Sequence, residues 1–222
     1  MWRRVIRILL YAFIFSIIYI LFCKWIDPPI TITQTVSIFS GNGLKRNYIS
    51  IDEMSPTIKL AVMSSEDQLF PDHDGFDFKN IKKAMKHNQK SRSLRGASTI
   101  SQQVAKNVFL WQHGGYFRKG LEVYFTFMIE HIWSKKRILE MYLNVAEMGQ
   151  GIFGIEAAAK KYFNKPAKNL SRTEAAVIAA SLPNPRSYTV KPLSKHVASR
   201  YPWILNQMAH LEGDPDIQQL LH

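Results

Sequence analysis

The sequence predicts a mainly α-helical protein, in which one transmembrane helix precedes a single helical domain with a small β element near its N-terminus. Residues 8–23 form an uncharged apolar run, and residues 30–40 alternate and are rich in β-branched side chains. After residue 55, apolar residues recur at helical spacing behind capping residues. A chain of 222 residues is long enough for one sizeable domain with its own core.

The N-terminal apolar segment predicts a membrane anchor over residues 8–26. The run ILLYAFIFSIIYILFC is followed by Lys24 and Trp25, which suit the membrane interface. Together they span about 20 residues, enough for one bilayer crossing. A cleaved signal peptide is the alternative, but no small-residue cleavage site precedes Asp27. We therefore expect an uncleaved signal anchor.

Basic residues before the apolar run predict its orientation. Arg3, Arg4 and Arg7 place residues 1–7 in the cytoplasm by the positive-inside rule. Residues 27–222 are then expected on the other side of the membrane, as one domain.

The charge of the chain predicts an anionic partner. There are 29 basic and 17 acidic residues, for a net charge of +12. Export makes nucleic acid an improbable partner, so anionic lipid and lipid-linked phosphate are favoured. The single cysteine, Cys23, lies in the apolar run, which excludes a disulfide or a cysteine-based metal site within the exported domain.

Local sequence signals divide the domain into one strand and several helices. The β-branched segment ITITQTVSIFS (30–40) predicts a strand, and Gly41-Asn42-Gly43 predicts a turn. Helix N-termini are predicted where a Ser, Thr or Asp precedes an apolar periodic run. These caps are Ser55 before Pro56, Asp77, Thr99 with Gln102, Ser134, Ser171 with Glu174, and Ser194.

An acidic pair follows the first of these helices. Glu66 and Asp67 come directly after the apolar run LAVMSS, where negative charge opposes the helix dipole by about 0.3–1 kcal/mol per charge. A solvated helix end would explain them. A carboxylate in a partly apolar cleft would instead have a raised pKa and could act as a general base. Nearby His73 is expected to make a structural hydrogen bond, since no second metal ligand accompanies it.

A polar helix and a charged cluster supply the other candidate site residues. The predicted helix after Thr99 could receive phosphate or sugar hydroxyls at its polar face, although a solvated face is the alternative. Its candidate substrate-binding residues are Ser98, Thr99, Gln102, Gln103 and Lys106. Arg118 and Glu122 share a helix face beside Lys119, and an ordinary surface ion pair there would contribute only about 0.3–0.5 kcal/mol.

The order of these clusters along the chain resembles the family 51 peptidoglycan glycosyltransferases. Their first three motifs are E-D-x-x-F-x-x-H-x-G, G-x-S-T-x-x-Q-Q and R-K-x-x-E. Five segments carry the resemblance in the family's order, over a motif core of residues 64–185. They are SSEDQLFPDHDGFD (64–77), RGASTISQQVAKN (95–107), RKGLE (118–122), SKKRILEMYLN (134–144) and EAAVIAASLPNP (174–185).

The resemblance implies a lysozyme-like, two-lobed helical domain of the monofunctional branch, because Ala97 stands where bifunctional relatives usually have glycine and the chain has no room for a transpeptidase domain. It implies polymerisation of lipid II onto a growing glycan strand, at the periplasmic face of a bacterial inner membrane. Glu66 would be the general base, and Glu122 would orient cations or the diphosphate. Asp67, Phe70 and the polar and basic residues above would bind substrate.

The resemblance also bears on cofactors and partners. It implies no certain cofactor; a divalent cation, Mg²⁺ or Mn²⁺, is compatible with the diphosphate, with no metal site of the protein's own. Partners would be membrane lipids and other cell-wall synthesis proteins. The chain departs from many relatives by having Gly114 and Gly115 where a basic residue often precedes the third motif. Around these glycines, Trp111, Tyr116 and Phe117 are expected to form a hydrophobic lip that dips into the membrane.

Two other functions fit parts of the sequence. A lytic muramidase would also combine a helical fold with a catalytic glutamate, but the cations at 106–119 have no diphosphate to hold in glycan hydrolysis. A non-catalytic membrane scaffold for cell-wall synthesis is the other alternative, and it would not need Glu66.

Overall fold

A computed structural model describes residues 1–90, 96–112 and 114–222. Arg95 of the second motif and His113 of the glycine loop lie outside the described residues. Within them the chain is mainly helical, as predicted, with eleven α-helices and three short strands. The helices are α1 Trp2–Trp25, α2 Ile32–Phe39, α3 Pro56–Glu66, α4 Phe78–Lys90, α5 Ile100–Phe109, α6 Tyr116–Ile132, α7 Lys135–Val145, α8 Ile155–Phe163, α9 Arg172–Ser181, α10 Lys195–Leu211 and α11 Pro215–Leu221.

The N-terminal helix α1 is long and apolar enough to cross a membrane, and most of its surface is exposed. It begins at Trp2, several residues before the predicted start, because the arginines at positions 3, 4 and 7 are also helical. Its C-terminal half contacts the domain. Ser16 is 2.8 Å from the hydroxyl of Tyr124 on α6, and Arg137 of α7 donates to the backbone carbonyl of Cys23 at 2.9 Å.

The strand predicted over residues 30–40 is wrong, since this segment forms α2. Thr31 and Gln34 make a reciprocal capping box at its N-terminus, which satisfies two backbone donors that a strand would have left to a partner. The predicted turn after it is present, with Gly41 and Gly43 at φ +75° and +76°. Periodicity failed here because β-branched residues tolerate a short helix when its cap and tertiary contacts favour it.

The β element lies farther along the chain than expected. Strand β1 (Lys45–Arg46) pairs in parallel with β3 (Ile152–Phe153), and β3 pairs antiparallel with β2 (Glu147–Gly149). The sheet therefore joins the start of the domain to the segment after α7, a long-range pairing that local pattern does not encode.

The helix starts were predicted more successfully than the strand. Side-chain caps are present at α3, α4, α5, α7, α9 and α10; the capping residues are Ser55, Asp77, Thr99, Ser134, Ser171 and Ser194. The short helix α11, which Asp214 caps, was not anticipated.

Two groups of helices pack around the core. One consists of α3, α9 and α10, and the other consists of α5, α6 and α7. The C-terminal end of α3 meets α5 where the groups adjoin, through Glu66 and Asp67. The acidic pair of the first motif is therefore placed at the junction between the two groups.

Candidate active site

Glu66, the last residue of α3, faces the polar side of α5. Its Oε2 accepts a hydrogen bond from Nε2 of Gln103 at 2.9 Å, and Ser65 Oγ lies 3.3 Å from Oε1. Burial raises the pKa of Glu66, and the hydrogen bonds from Gln103 and Ser65 offset only part of that rise. A carboxyl group in this state can accept a proton near neutral pH more readily than an ordinary glutamate.

Lys106 lies one turn after Gln103 on the same face of α5. Burial lowers its pKa, as do the charges of Arg118 and Lys119, while Glu122 and Glu66 raise it. The charges of both glutamates therefore stabilise the protonated ammonium group of Lys106. It makes no ion pair within 4 Å in the part of the chain that the structure describes.

The start of α6 supplies the rest of the charged cluster. Glu122 is only 3% exposed and accepts from Arg118 Nη1 at 2.7 Å and from Lys119 Nζ. With Lys106 the cluster has three cations and one carboxylate, so it has a net positive charge. The Nε of Arg118 is buried and has no partner among the described residues.

Asp67 and Phe70 lie close to Glu66 in sequence, and both are buried in the domain. The Oδ2 of Asp67 accepts from the backbone N–H of Ile100, the first residue of α5, at 3.0 Å. His73 Nε2 lies 3.0 Å from Oδ1 of Asp67, which is the structural hydrogen bond expected of His73. Phe70 is fully buried. This geometry favours a positioning role for both Asp67 and Phe70 over the predicted contact with substrate.

Two of the predicted substrate-binding residues at the start of α5 make structural hydrogen bonds. Thr99 and Gln102 form the predicted capping box and are buried, and the hydroxyl of Thr99 donates to the carbonyl of Gly75 at 2.7 Å. Ser98 is exposed next to them. Of these three predicted substrate contacts, only Ser98 presents its side chain to solvent.

A small cavity of about 150 Å³ opens beside Gln103 and Lys106. Its lining includes residues that were not predicted as site residues: Thr33, Asn107, Gln112, Tyr142, Glu147, Leu182, Pro183 and Pro185. The hydroxyl of Tyr142 is 3.4 Å from Oε1 of Gln103, so Gln103 lies between Tyr142 and Glu66. The fourth motif contains Tyr142 and could have indicated it, whereas nothing in the sequence indicated Thr33.

Comparison with known proteins identifies the family. Residues 33–209 match the sequence profile of the family described as Transglycosylase, which is more than half of the chain. The chain belongs to this family. The match confirms the resemblance drawn from the five motifs, and with it the prediction of a glycosyltransferase.

Individual relatives of this transglycosylase agree with the family match. Proteins named "Biosynthetic peptidoglycan transglycosylase" from Escherichia coli (strain Crooks) and Shigella boydii serotype 4 (strain Sb227) are each 55% identical to it over 174 residues. The protein of that name from Escherichia coli (strain K12 / DH10B) has the same identity. Each alignment covers 78% of this chain and 72% of the relative.

The candidate site of this transglycosylase thus gathers residues from distant parts of the chain. Glu66, Gln103 and Lys106 lie together, and Lys106 connects them electrostatically with the Arg118–Lys119–Glu122 cluster. The arrangement offers a carboxyl base at one end and concentrated positive charge at the other. Such a site can remove a proton from a nucleophile while it stabilises an anionic leaving group.

Proposed function

We propose that this transglycosylase elongates peptidoglycan strands from lipid II, forms β-1,4 bonds with inversion and releases undecaprenyl diphosphate. The observation that carries the proposal is the arrangement of Glu66, whose pKa is raised by burial, beside Lys106 and the cations of α6. The names of the relatives support peptidoglycan as the product.

The first part of the reaction falls to Glu66. Its carboxylate takes the proton from the 4-hydroxyl of the acceptor sugar, and that oxygen forms a bond to the anomeric carbon of the donor. The bond from this carbon to the diphosphate oxygen breaks on the opposite face, so the α-linkage becomes β. Gln103 holds Glu66 in place by its 2.9 Å hydrogen bond to Oε2. Oε1 accepts the longer, 3.3 Å hydrogen bond from Ser65, so it is the oxygen that takes the proton of the acceptor.

The second part of the reaction needs positive charge at the departing diphosphate. Lys106, Arg118 and Lys119 supply it, in a partly buried setting where electrostatic stabilisation is stronger than in water. The unpartnered Nε of Arg118 is a donor for a phosphate oxygen, and such charge-assisted bonds are strong. Glu122 fixes the orientation of Arg118 and Lys119 in place of reacting itself.

A divalent cation would be held mainly by the diphosphate. Asp67, the acidic residue nearest in sequence to the base, is turned toward His73 and the start of α5. In the described ranges no group of three or more His, Cys, Asp or Glu residues is arranged to hold a metal ion. Any Mg²⁺ or Mn²⁺ would supply additional positive charge at the phosphates.

The domain is proposed to work at the periplasmic face of the bacterial inner membrane, with residues 1–7 in the cytoplasm. The lip residues Trp111, Tyr116 and Phe117 are 38%, 98% and 76% exposed, which argues against core packing. Helix α6 runs beside the anchor, as the contact between Tyr124 and Ser16 indicates. Exposed aromatics at the start of a helix next to a transmembrane segment suit insertion into the headgroup region. Other cell-wall synthesis proteins as partners stay a prediction.

A polymerisation assay with the full chain in detergent tests the proposal. Lipid II should yield long glycan strands, and Glu66→Gln should reduce the rate by about 10²- to 10⁴-fold, the usual contribution of a general base. The matched control Glu212→Gln, at an exposed ion pair with Arg172, should keep the wild-type rate. Preformed glycan strands should stay intact. Fragments from those strands and no polymer from lipid II would support a muramidase, and full activity of folded Glu66→Gln would exclude Glu66 as the base.

A further inference from the structure

The cavity beside Lys106 has a neutral polar wall that the proposed mechanism does not use. Thr33 of α2, Asn107 of α5 and Gln112 of the following loop line it together. A single amide group joins them, since Nε2 of Gln112 donates to Oγ1 of Thr33 at 2.9 Å and to Oδ1 of Asn107 at 2.8 Å. Three segments of the chain therefore meet at one amide.

These internal bonds determine which groups are left for a ligand. Both hydrogens of the Gln112 amide are used, so its Oε1 is an available acceptor. The Nδ2 of Asn107 and the hydroxyl hydrogen of Thr33 are available donors, and none of the three has a partner within the described ranges. Thr33 and Asn107 are buried, at 6% and 9% exposure, and buried donors are normally satisfied by water or a ligand. An uncharged set of donors and an acceptor matches hydroxyl and amide groups better than an anion.

Part of the cavity lining is apolar. Leu182, Pro183 and Pro185 contribute to it, so the cavity combines hydrogen-bonding groups with apolar surface. Sugar rings have the same two characters, with polar groups at the edge and C–H groups on the faces. The cavity volume of about 150 Å³ is below the roughly 300–1,000 Å³ of pockets for drug-sized ligands, which suits one ring.

The position of the wall relates it to the reaction. Asn107 directly follows Lys106 on α5, and Lys106 lines the same cavity. We propose that Thr33, Asn107 and Gln112 form a subsite for the amino sugar attached to the diphosphate and bind its hydroxyl and acetamido groups. The subsite rests on the proposed function, because Lys106 is assigned to the diphosphate there. It would hold the anomeric carbon between the cations and Glu66.

Binding of two ligands that share a diphosphate but differ in the sugar tests the subsite. The full chain in detergent is titrated with lipid II and with undecaprenyl diphosphate. Gln112→Leu should weaken lipid II binding by about 5- to 50-fold, because it removes the ligand's bond to Oε1 and the two bonds that position Thr33 and Asn107. Binding of undecaprenyl diphosphate should stay within about 2-fold, because the cations are unchanged. Gln219→Leu, at an exposed position of α11, is the matched control and should alter neither.

A second variant, at Thr33 of α2, tests the subsite without changing the loop that contains Gln112. Thr33→Val removes the hydroxyl with little change of shape and should weaken lipid II binding by about 2- to 5-fold, with an unchanged thermal midpoint. The subsite is excluded if folded Gln112→Leu binds lipid II as the wild type does, or if it weakens both ligands equally. Failure of the wild-type chain to polymerise lipid II would instead contradict the proposed function.

Discussion

The two glutamates of the site have the same functional group in opposite surroundings. Glu66 ends α3 among neutral partners, with Gln103 and Ser65 as its hydrogen-bond donors, and burial raises its pKa. Glu122 ends the second turn of α6 and is buried against Arg118 and Lys119. A carboxylate whose hydrogen-bond donors are neutral can accept and release a proton. A carboxylate paired with two cations instead holds those cations in place. The hydrogen-bond partners and burial of each glutamate, more than its residue type, therefore assign the roles of base and positioning residue.

The largest expected effect is on the polymerisation rate when each of the two glutamates is replaced in turn. Glu66→Gln should remove nearly all polymerisation, while Glu122→Gln should lower it by only roughly 10- to 100-fold, as expected for misplaced cations. The isosteric change at Glu122 should also lower the free energy of unfolding by about 1–3 kcal/mol, because it weakens two charge-assisted bonds. Initial rates and urea unfolding measure both effects. Equal losses of activity with no change in stability would contradict the assignment of separate roles.

The pH dependence of the rate sharpens the same comparison. Glu66 must be ionised to accept a proton, so kcat/KM should fall as the pH drops through its raised pKa, above the value of about 4.3 for a free glutamate. Gln103→Leu removes a hydrogen bond that lowers this pKa, so the acidic limb should move to higher pH. Thr173→Val, at a position on α9 remote in sequence from both glutamates, is the control and should leave the limb in place. A limb that stays at the same pH in Gln103→Leu would show that another group controls it.

Asp67 offers a contrast between the base and its immediate neighbour. Asp67→Asn should lower the free energy of unfolding by about 1.5–3 kcal/mol, because the charged hydrogen bonds to His73 and Ile100 are weakened. The pH of the acidic limb should change little, since Asp67 influences the pKa of Glu66 less than burial or the hydrogen bonds from Gln103 and Ser65 do. Thermal unfolding and a pH–rate profile measure the two. A large shift of the limb without loss of stability would make Asp67 part of the proton transfer.

The smallest effect is expected at the lip. Replacing Trp111, Tyr116 and Phe117 with Ser should slow turnover several-fold in lipid vesicles and less in detergent, since α1 still anchors the chain. Each aromatic side chain removed from the membrane loses about 1.5–3 kcal/mol of transfer free energy. Leu193→Ser, exposed on the segment before α10, is the control. Equal rates in vesicles for the triple variant and the wild type would remove the lip from the mechanism.

Features that depend on local chemistry could be predicted from the amino-acid sequence. Apolar length predicted the anchor, and cap residues such as Ser55, Thr99 and Ser171 predicted helix starts, because a side-chain oxygen three residues before a backbone N–H is a local device. The order of the five motifs predicted the family. The same motifs predicted the acidic pair and the basic cluster as site residues.

The tertiary structure decided what depends on long-range contacts. It made residues 32–39 a helix. It turned Asp67 and Gln102 toward structural partners, while it placed Gln103 at the cavity and Glu66 against Gln103. Adjacent residues were separated in this way because Glu66 bonds the side chain of Gln103 while Asp67 bonds the backbone at the start of α5, which spacing along the chain does not reveal. It also brought Thr33 against Gln112, 79 residues away. Contacts of that range are fixed by the packing of whole helices, so no local pattern could have predicted them.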